Sequence, residues 1–208
     1  MKAILIAIVM ILPYTVFCQI KGDDYKIYSR YLTELQHEKK EKVTYVIRDS
    51  TCYSDESNIS DFLKGFRGFL KGEKGSEGVF LGFNYFRDTL KKDTLWLPLI
   101  EQLTQKLNRE GVENKFSKKL RVSILNSQDY SAYFGERNYI DQGWTLFQKD
   151  HPGRSYLTEF SKIMSDGKRA VFYFSTSFGS LGGSGCLVLF YKDGVDWEFV
   201  GTIPLWLS

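Results

Sequence analysis

The residues able to carry chemistry are few and far apart. There are two histidines, His37 in a charged run and His151 in a Pro-Gly turn, so a Ser-His-Asp or Cys-His arrangement has at most one plausible base. Cys18 closes an apolar leader, and Cys52 and Cys186 have no CxxC spacing, so a closed zinc site lacks its ligands. No metal or other cofactor is expected. Carboxylates remain: Asp49, Glu136, Asp141 and Glu159 fall in loops or at strand ends, and glycosidic cleavage needs only two carboxyl groups at a set separation. That keeps open a carboxylate-dependent hydrolase acting on envelope or polysaccharide material. The plainer reading is that acids at strand ends are solvated. No catalytic residue is singled out, and the supply of reactive groups favours a non-catalytic protein.

The best candidate surface is the run Phe178-Gly179-Ser180-Leu181-Gly182-Gly183-Ser184-Gly185. Small residues let a ligand reach backbone N–H groups, as anion-binding nests do, so Phe178, Gly179, Ser180, Gly182, Gly183 and Ser184 form the candidate ligand-binding set. The competing reading is that a wide hairpin connection needs glycines to turn. The tyrosines from Tyr130 to Tyr139 would either wall such a surface or cover the sheet.

The elements that position this loop are apolar strands. Over Lys168–Ser177, Ala170, Phe172 and Phe174 alternate with Val171, Tyr173 and Ser175, the pattern of a strand with one wholly apolar face. Cys186–Lys192 is apolar on both faces and belongs inside a sheet. Asp193-Gly194 marks a tight turn into Trp197–Leu207, where Pro204 requires an edge position or a bulge. Ser155–Met164 is the strand expected before these three. The fold class is α+β, a C-terminal antiparallel meander of about four strands with helices on one face.

Upstream, Tyr25, Tyr28, Tyr31, Leu32 and Leu35 recur at helical spacing, and Val43–Arg48 alternates as a strand that runs into the loop Asp49–Asn58. Ser60 is placed to cap a helix through Leu70. Lys71–Gly78 reads as a surface loop, and Val79–Phe86 fits strand or helix equally. Trp96–Glu110 reads as a helix stopped by Gly111, and Leu120, Val122 and Ile124 as the next strand. Asn126–Ile140 is polar and tyrosine-rich and reads as a loop. Asp141 is then placed to cap a short helix bearing Trp144 and Phe147.

The 208 residues suit one domain, and 43% hydrophobic with 16% aromatic content is enough for an ordinary core. A net charge of +3 shows none of the excess that nucleic-acid binding uses. Met1-Lys2 followed by the apolar Ala3–Phe17 has the form of a secretory signal peptide, too short to favour a membrane span. Cleavage after Cys18 leaves residues 19–208 as a single α+β domain, periplasmic or extracellular. The alternative is a lipoprotein acylated on Cys18, against which Phe17 stands where such a motif has Gly or Ala. In an oxidising compartment Cys52 and Cys186 either pair or are simply buried. The expected partner is a protein or an envelope ligand.

Asn114-Lys115-Phe116, Gly143-Trp144-Thr145-Leu146-Phe147, His151-Pro152-Gly153, Phe160-Ser161, Ala170-Val171-Phe172-Tyr173 and the closing Leu205-Trp206-Leu207-Ser208 resemble a group of uncharacterised secreted proteins and lipoproteins of Bacteroidetes-type bacteria. The Phe17-Cys18-Gln19 junction is similar to their leaders, and the likeness covers most of the chain beyond Tyr25. It implies export but no established activity. Many members carry two cysteines in the loop between the second and third of the final four strands. Phe178 and Gly182 stand at those positions here, so no disulfide or metal role comes with the resemblance. His151 stands where the group often has tyrosine, which implies no catalytic histidine. An inhibitor or immunity-type protein is a further reading of the same chain.

Overall fold

The computed structural model describes residues 20–39, 42–52, 56–73, 90, 92–105, 109–135 and 140–208. The leader with its Cys18 junction, Val79–Phe86, Glu136 and most of the Lys71–Gly78 loop lie outside them. Among the described residues five helices flank one mixed sheet of seven strands.

Helix α1 (Gly22–Lys39) opens on Asp23 and Asp24, whose charges suit the positive helix N-terminus. Its Tyr25, Tyr28, Tyr31 and Leu32 are all buried, as their spacing predicts. The Tyr28 ring lies 4.5 Å from Phe160 and edge-on to Phe172 at 5.1 Å. Removing Leu32 entirely from water contributes about 2–3 kcal/mol on its own. The face that α1 covers belongs to strands β1 (Thr44–Arg48), β3 (Ser155–Phe160), β5 (Arg169–Ser177) and β6 (Gly183–Asp193), through Tyr45, Ile47, Phe160, Phe172, Phe174, Val188 and Phe190.

The other face is covered twice. Helices α2 (Glu56–Leu70) and α3 (Trp96–Gln102), joined by the Arg67–Glu101 ion pair, bury Ile59, Phe66, Trp96 and Ile100 against Val171, Tyr173, Leu187 and Leu189. Ile203 of β7 (Asp196–Leu207) joins the same cluster. Over the far half of the sheet, α4 (Ser127–Phe134) and α5 (Ile140–Asp150) pack Trp144 and Phe147 onto Val46 and Leu157.

The strand order is β2-β1-β3-β5-β6-β7, where β2 is Arg121–Leu125 and the short β4 (Met164–Ser165) pairs with β5 off this path. Strand β1 runs parallel to both β2 and β3, while β3/β5, β5/β6 and β6/β7 are antiparallel. The expected C-terminal antiparallel meander is present, but two expectations are corrected. The sheet is mixed and larger than about four strands, and helices cover both faces. The cause is visible in β1, where Tyr45 and Ile47 face α1 while Val46 is equally buried on the opposite side, so both surfaces need a cover.

Local boundaries also move. Helix α2 begins at Glu56, so Ser60 lies inside it rather than at its cap. Helix α3 ends at Gln102, and by Glu110 the chain is extended, with Thr51 N donating to Glu110 O at 2.8 Å and Val112 N to Asp49 O at 2.8 Å. The expected loop Asn126–Ile140 contains α4, capped by Asn126 Oδ1, which accepts from Asp129 N at 2.8 Å. Ser155–Met164 divides at Ser161, whose Oγ accepts from Tyr173 N at 2.8 Å. Strand β7 is the sheet's edge and slips register at two places, one beside Pro204, as a residue without an N–H requires. Its end is docked: Ser208 N donates to Gly183 O at 3.0 Å. No helix among the described residues is long and apolar enough to cross a membrane.

Candidate functional site

The lower end of the sheet, where β1, β2 and β3 begin, carries the glycine-rich candidate. Strand β5 ends at Ser177 as expected, but β6 begins at Gly183 rather than Cys186 and pairs that residue with Ser177, so the connection shrinks to Phe178–Gly182 and is closed by Phe178 N donating to Gly182 O at 2.9 Å. Gly183 and Ser184 belong to β6. Among the described residues the glycines at positive φ are Gly72, Gly153, Gly167, Gly194 and Gly201, so Gly179, Gly182 and Gly183 do not supply the left-handed residues of an anion nest.

Aromatic rings account for the glycines instead. A Cβ on Gly182 would stand 2.3 Å from the Phe178 ring, and one on Gly185 would stand 2.1 Å from Trp206 Nε1. Trp206 Nε1 donates to Tyr173 Oη at 2.9 Å across the place a Gly185 side chain would take. Burial pushes the Tyr173 hydroxyl up to about 12. The loop leaves two large apolar side chains in solvent, Phe178 54% and Leu181 85% exposed, with Ser180 exposed between them.

Phe178 also borders a groove of about 620 Å³ with Gln148, Pro152, Arg154, Ser155 and Tyr156. Gln148 Nε2 donates to Phe178 O at 3.5 Å, tying α5 to the loop, and the Phe178 ring meets Tyr156 edge-on at 5.8 Å. Gly153, at φ +91°, turns the chain between α5 and β3 beside it. Ser155 Oγ is buried without a hydrogen-bond partner. The groove residues from Gln148 to Tyr156 carry no sequence signal of a site beyond the His151-Pro152-Gly153 turn that marks their place. Neither Tyr130 nor Tyr133, of the tyrosines expected to wall this surface or cover the sheet, lines the groove. Tyr130 lies under Arg48, and Tyr133 donates to Asp150 Oδ2 at 2.8 Å and packs edge-on to Phe147. Tyr139 is outside the described residues.

The upper end, where β1 and β3 finish, holds two of the candidate acids. Glu159 accepts from Arg48 Nη1 at 2.8 Å, and the Arg48 guanidinium sits 3.9 Å above the centre of the Tyr130 ring. Asp49 accepts from Ser127 N and from Ser127 Oγ, both at 2.9 Å, which anchors the start of α4. Asp141 is exposed in the first turn of α5. Each of the two upper acids is thus held by a neighbour. His151 packs against Phe147 with ring centres 4.7 Å apart and planes tilted by 42°, its Nε2 is buried and unpartnered, and burial lowers its pKa. That is the setting of a packed ring rather than a base in a cleft.

Cys52 and Cys186 are free thiols. Cys186 packs into the α1-side cluster with Sγ 3.5 Å from Tyr31 Oη, and Cys52 packs into the α2-side cluster, so the sheet lies between them. Burial pushes both thiols up, Cys186 to about 11. Their pairing is not made in this fold. No group of three or more potential metal ligands occurs among the described residues.

Fold and site together define a mixed-sheet α+β domain with an apolar hairpin tip. No family model, curated protein or solved structure matches the chain.

Proposed function

We propose that the chain is an exported, non-catalytic binding domain of the cell envelope, and that it makes contact through the β5–β6 tip and the groove beside it. The observation that carries this reading is the exposure of Phe178 and Leu181 on a connection closed by the hydrogen bond from Phe178 N to Gly182 O. Exposed apolar residues clustered on a loop cost solubility, and a surface of this kind is typical of a contact site. Export is supported by the Met1–Cys18 leader and by the resemblance to secreted proteins. The partners already held by Asp49 and Glu159 weigh against a carboxylate-dependent hydrolase.

The test expresses the chain with its leader, recovers the exported protein and mixes it with isolated cell envelopes. The exported protein sediments with the envelopes, whereas a Phe178→Ser/Leu181→Ser variant of unchanged melting temperature stays at least fivefold more in the supernatant. Retention of the wild type in the cytoplasm, or equal sedimentation of the two proteins, overturns the reading. Recovery in the pellet with one stoichiometric protein would assign the partner as protein, the inhibitor-type form of the same binding role.

A further inference from the structure

The lower end of the sheet is ordered from basic to apolar. Reading across it, Arg121 opens β2 beside Thr44, Thr44 opens β1 beside Ser155, and Thr44 N donates to Arg154 O at 3.0 Å. Lys42 lies just ahead of Thr44. Lys42, Arg121 and Arg154 are all exposed. Beyond β3 the character changes: Phe178 follows Ser177, Leu181 crowns the hairpin, and Leu207 pairs with Ser184 at the outer edge. Leu181 is 85% and Leu207 82% exposed. The nearby acid Asp150 accepts a hydrogen bond from Tyr133 on the helix layer.

We propose that this end docks on an anionic lipid bilayer, with Phe178, Leu181 and Leu207 entering the acyl boundary and Lys42, Arg121 and Arg154 facing headgroup phosphates. The inference rests on the binding role proposed above and names its partner. The apolar residues protrude from a hairpin tip and a strand end, and protrusions insert where grooves receive. A protein partner would need only the apolar half. The cationic half beside it complements a negatively charged surface, and two weak signals acting together are what stable interfacial binding requires. No covalent step is involved.

Flotation with vesicles tests it, using the chain from Gln19 with equimolar phosphatidylglycerol and phosphatidylcholine, or with phosphatidylcholine alone. The wild type floats at least tenfold more with the anionic vesicles, and raising NaCl to about 0.5 M shortens the Debye length enough to release most of it. Lys42→Glu/Arg121→Glu lowers binding by at least fivefold, about the worth of one headgroup contact. Leu181→Ser, at a site exposed enough to leave the fold intact, lowers it comparably without changing the salt dependence. Equal flotation with both vesicle types, or wild-type binding by either variant, overturns the inference. A wild type that ignores vesicles yet sediments with envelopes overturns the lipid surface and leaves the binding role standing. A wild type that does neither removes both.

Discussion

Gly185 lies beneath an indole, and the space it leaves is what allows Trp206 to reach Tyr173. Alanine there brings its Cβ to 2.1 Å from Trp206 Nε1 and 2.7 Å from Tyr173 Oη. The indole is the movable partner, so Gly185→Ala rotates it off the sheet and takes a donor from a buried hydroxyl. The expected cost is about 1–3 kcal/mol. Tryptophan emission shifts to the red, and in a Trp206→Phe background the same substitution costs at least twofold less. An unchanged melting temperature and emission would show that the cradle is slack. This part of the site was not legible in the sequence. A run of glycines reads as a turn, and only the register that sets Gly185 opposite Trp206 shows that two of its glycines, Gly183 and Gly185, belong to a strand. Phe178 was legible as a loop residue next to a strand, and it is the loop's anchor to α5 and Tyr156.

At the scale of elements, the α4–α5 hairpin carries the clearest constraint. A Cβ on Gly143 would lie 2.2 Å from Tyr133 O and 3.1 Å from Tyr133 C, and a backbone cannot swing away as a side chain can. Gly143→Ala therefore pushes α4 from α5, loosening Phe134 and Tyr133 from Trp144 and Phe147. Destabilisation of about 2–3 kcal/mol is expected from chemical denaturation, with a smaller loss for Gly135→Ala, where the close contact is to the Ser131 carbonyl at the helix's own end. Equal stability of Gly143→Ala and wild type would mean the helices are not in contact there. The sequence concealed α4 because none of its residues is fully buried and its composition is polar, yet Tyr130, Tyr133 and Phe134 already sit at helical spacing after the Asn126 cap. Helices α1 and α5 were legible from the helical spacing of their aromatic and apolar residues, β5 from its long alternation, β6 from a run apolar on both faces, and β7 from the Asp193-Gly194 turn that precedes it. The parallel pairing of β1 with β2 and β3 was not, since short strands joined by the long connection from Asp49 to Leu120 carry no local signal of register.

Across the whole molecule, the chain's two ends of interest point apart. Helix α1 starts at the upper end, where Asp23 and Lys26 share a cleft with Lys192 and Val195, whereas the apolar tip and the basic strand starts lie at the lower end. An acyl group on Cys18, only a few residues before α1, would tether the upper end, so docking through the tip goes with cleavage after Cys18. Between these ends the cover of the sheet is uneven, and stability should follow it. Strands β5 and β6 have a strand on each side and helices on both faces, and Val171, Phe172, Leu187, Val188, Leu189 and Phe190 are wholly buried. Helix α4 has no buried residue, and β2 is an edge strand. Opening α4 exposes little, whereas opening β6 exposes both clusters at once, so the two cannot share one opening free energy. Native-state hydrogen exchange should find the amides of Val171–Phe174 and Leu187–Phe190 exchanging only through global unfolding, with the full denaturant dependence. Those of α4 should exchange at least about a hundredfold faster, with almost no denaturant dependence. Uniform protection across α4 and β6 would mean that the sheet and its outer hairpin open as one unit, and the layered account of the fold would be wrong.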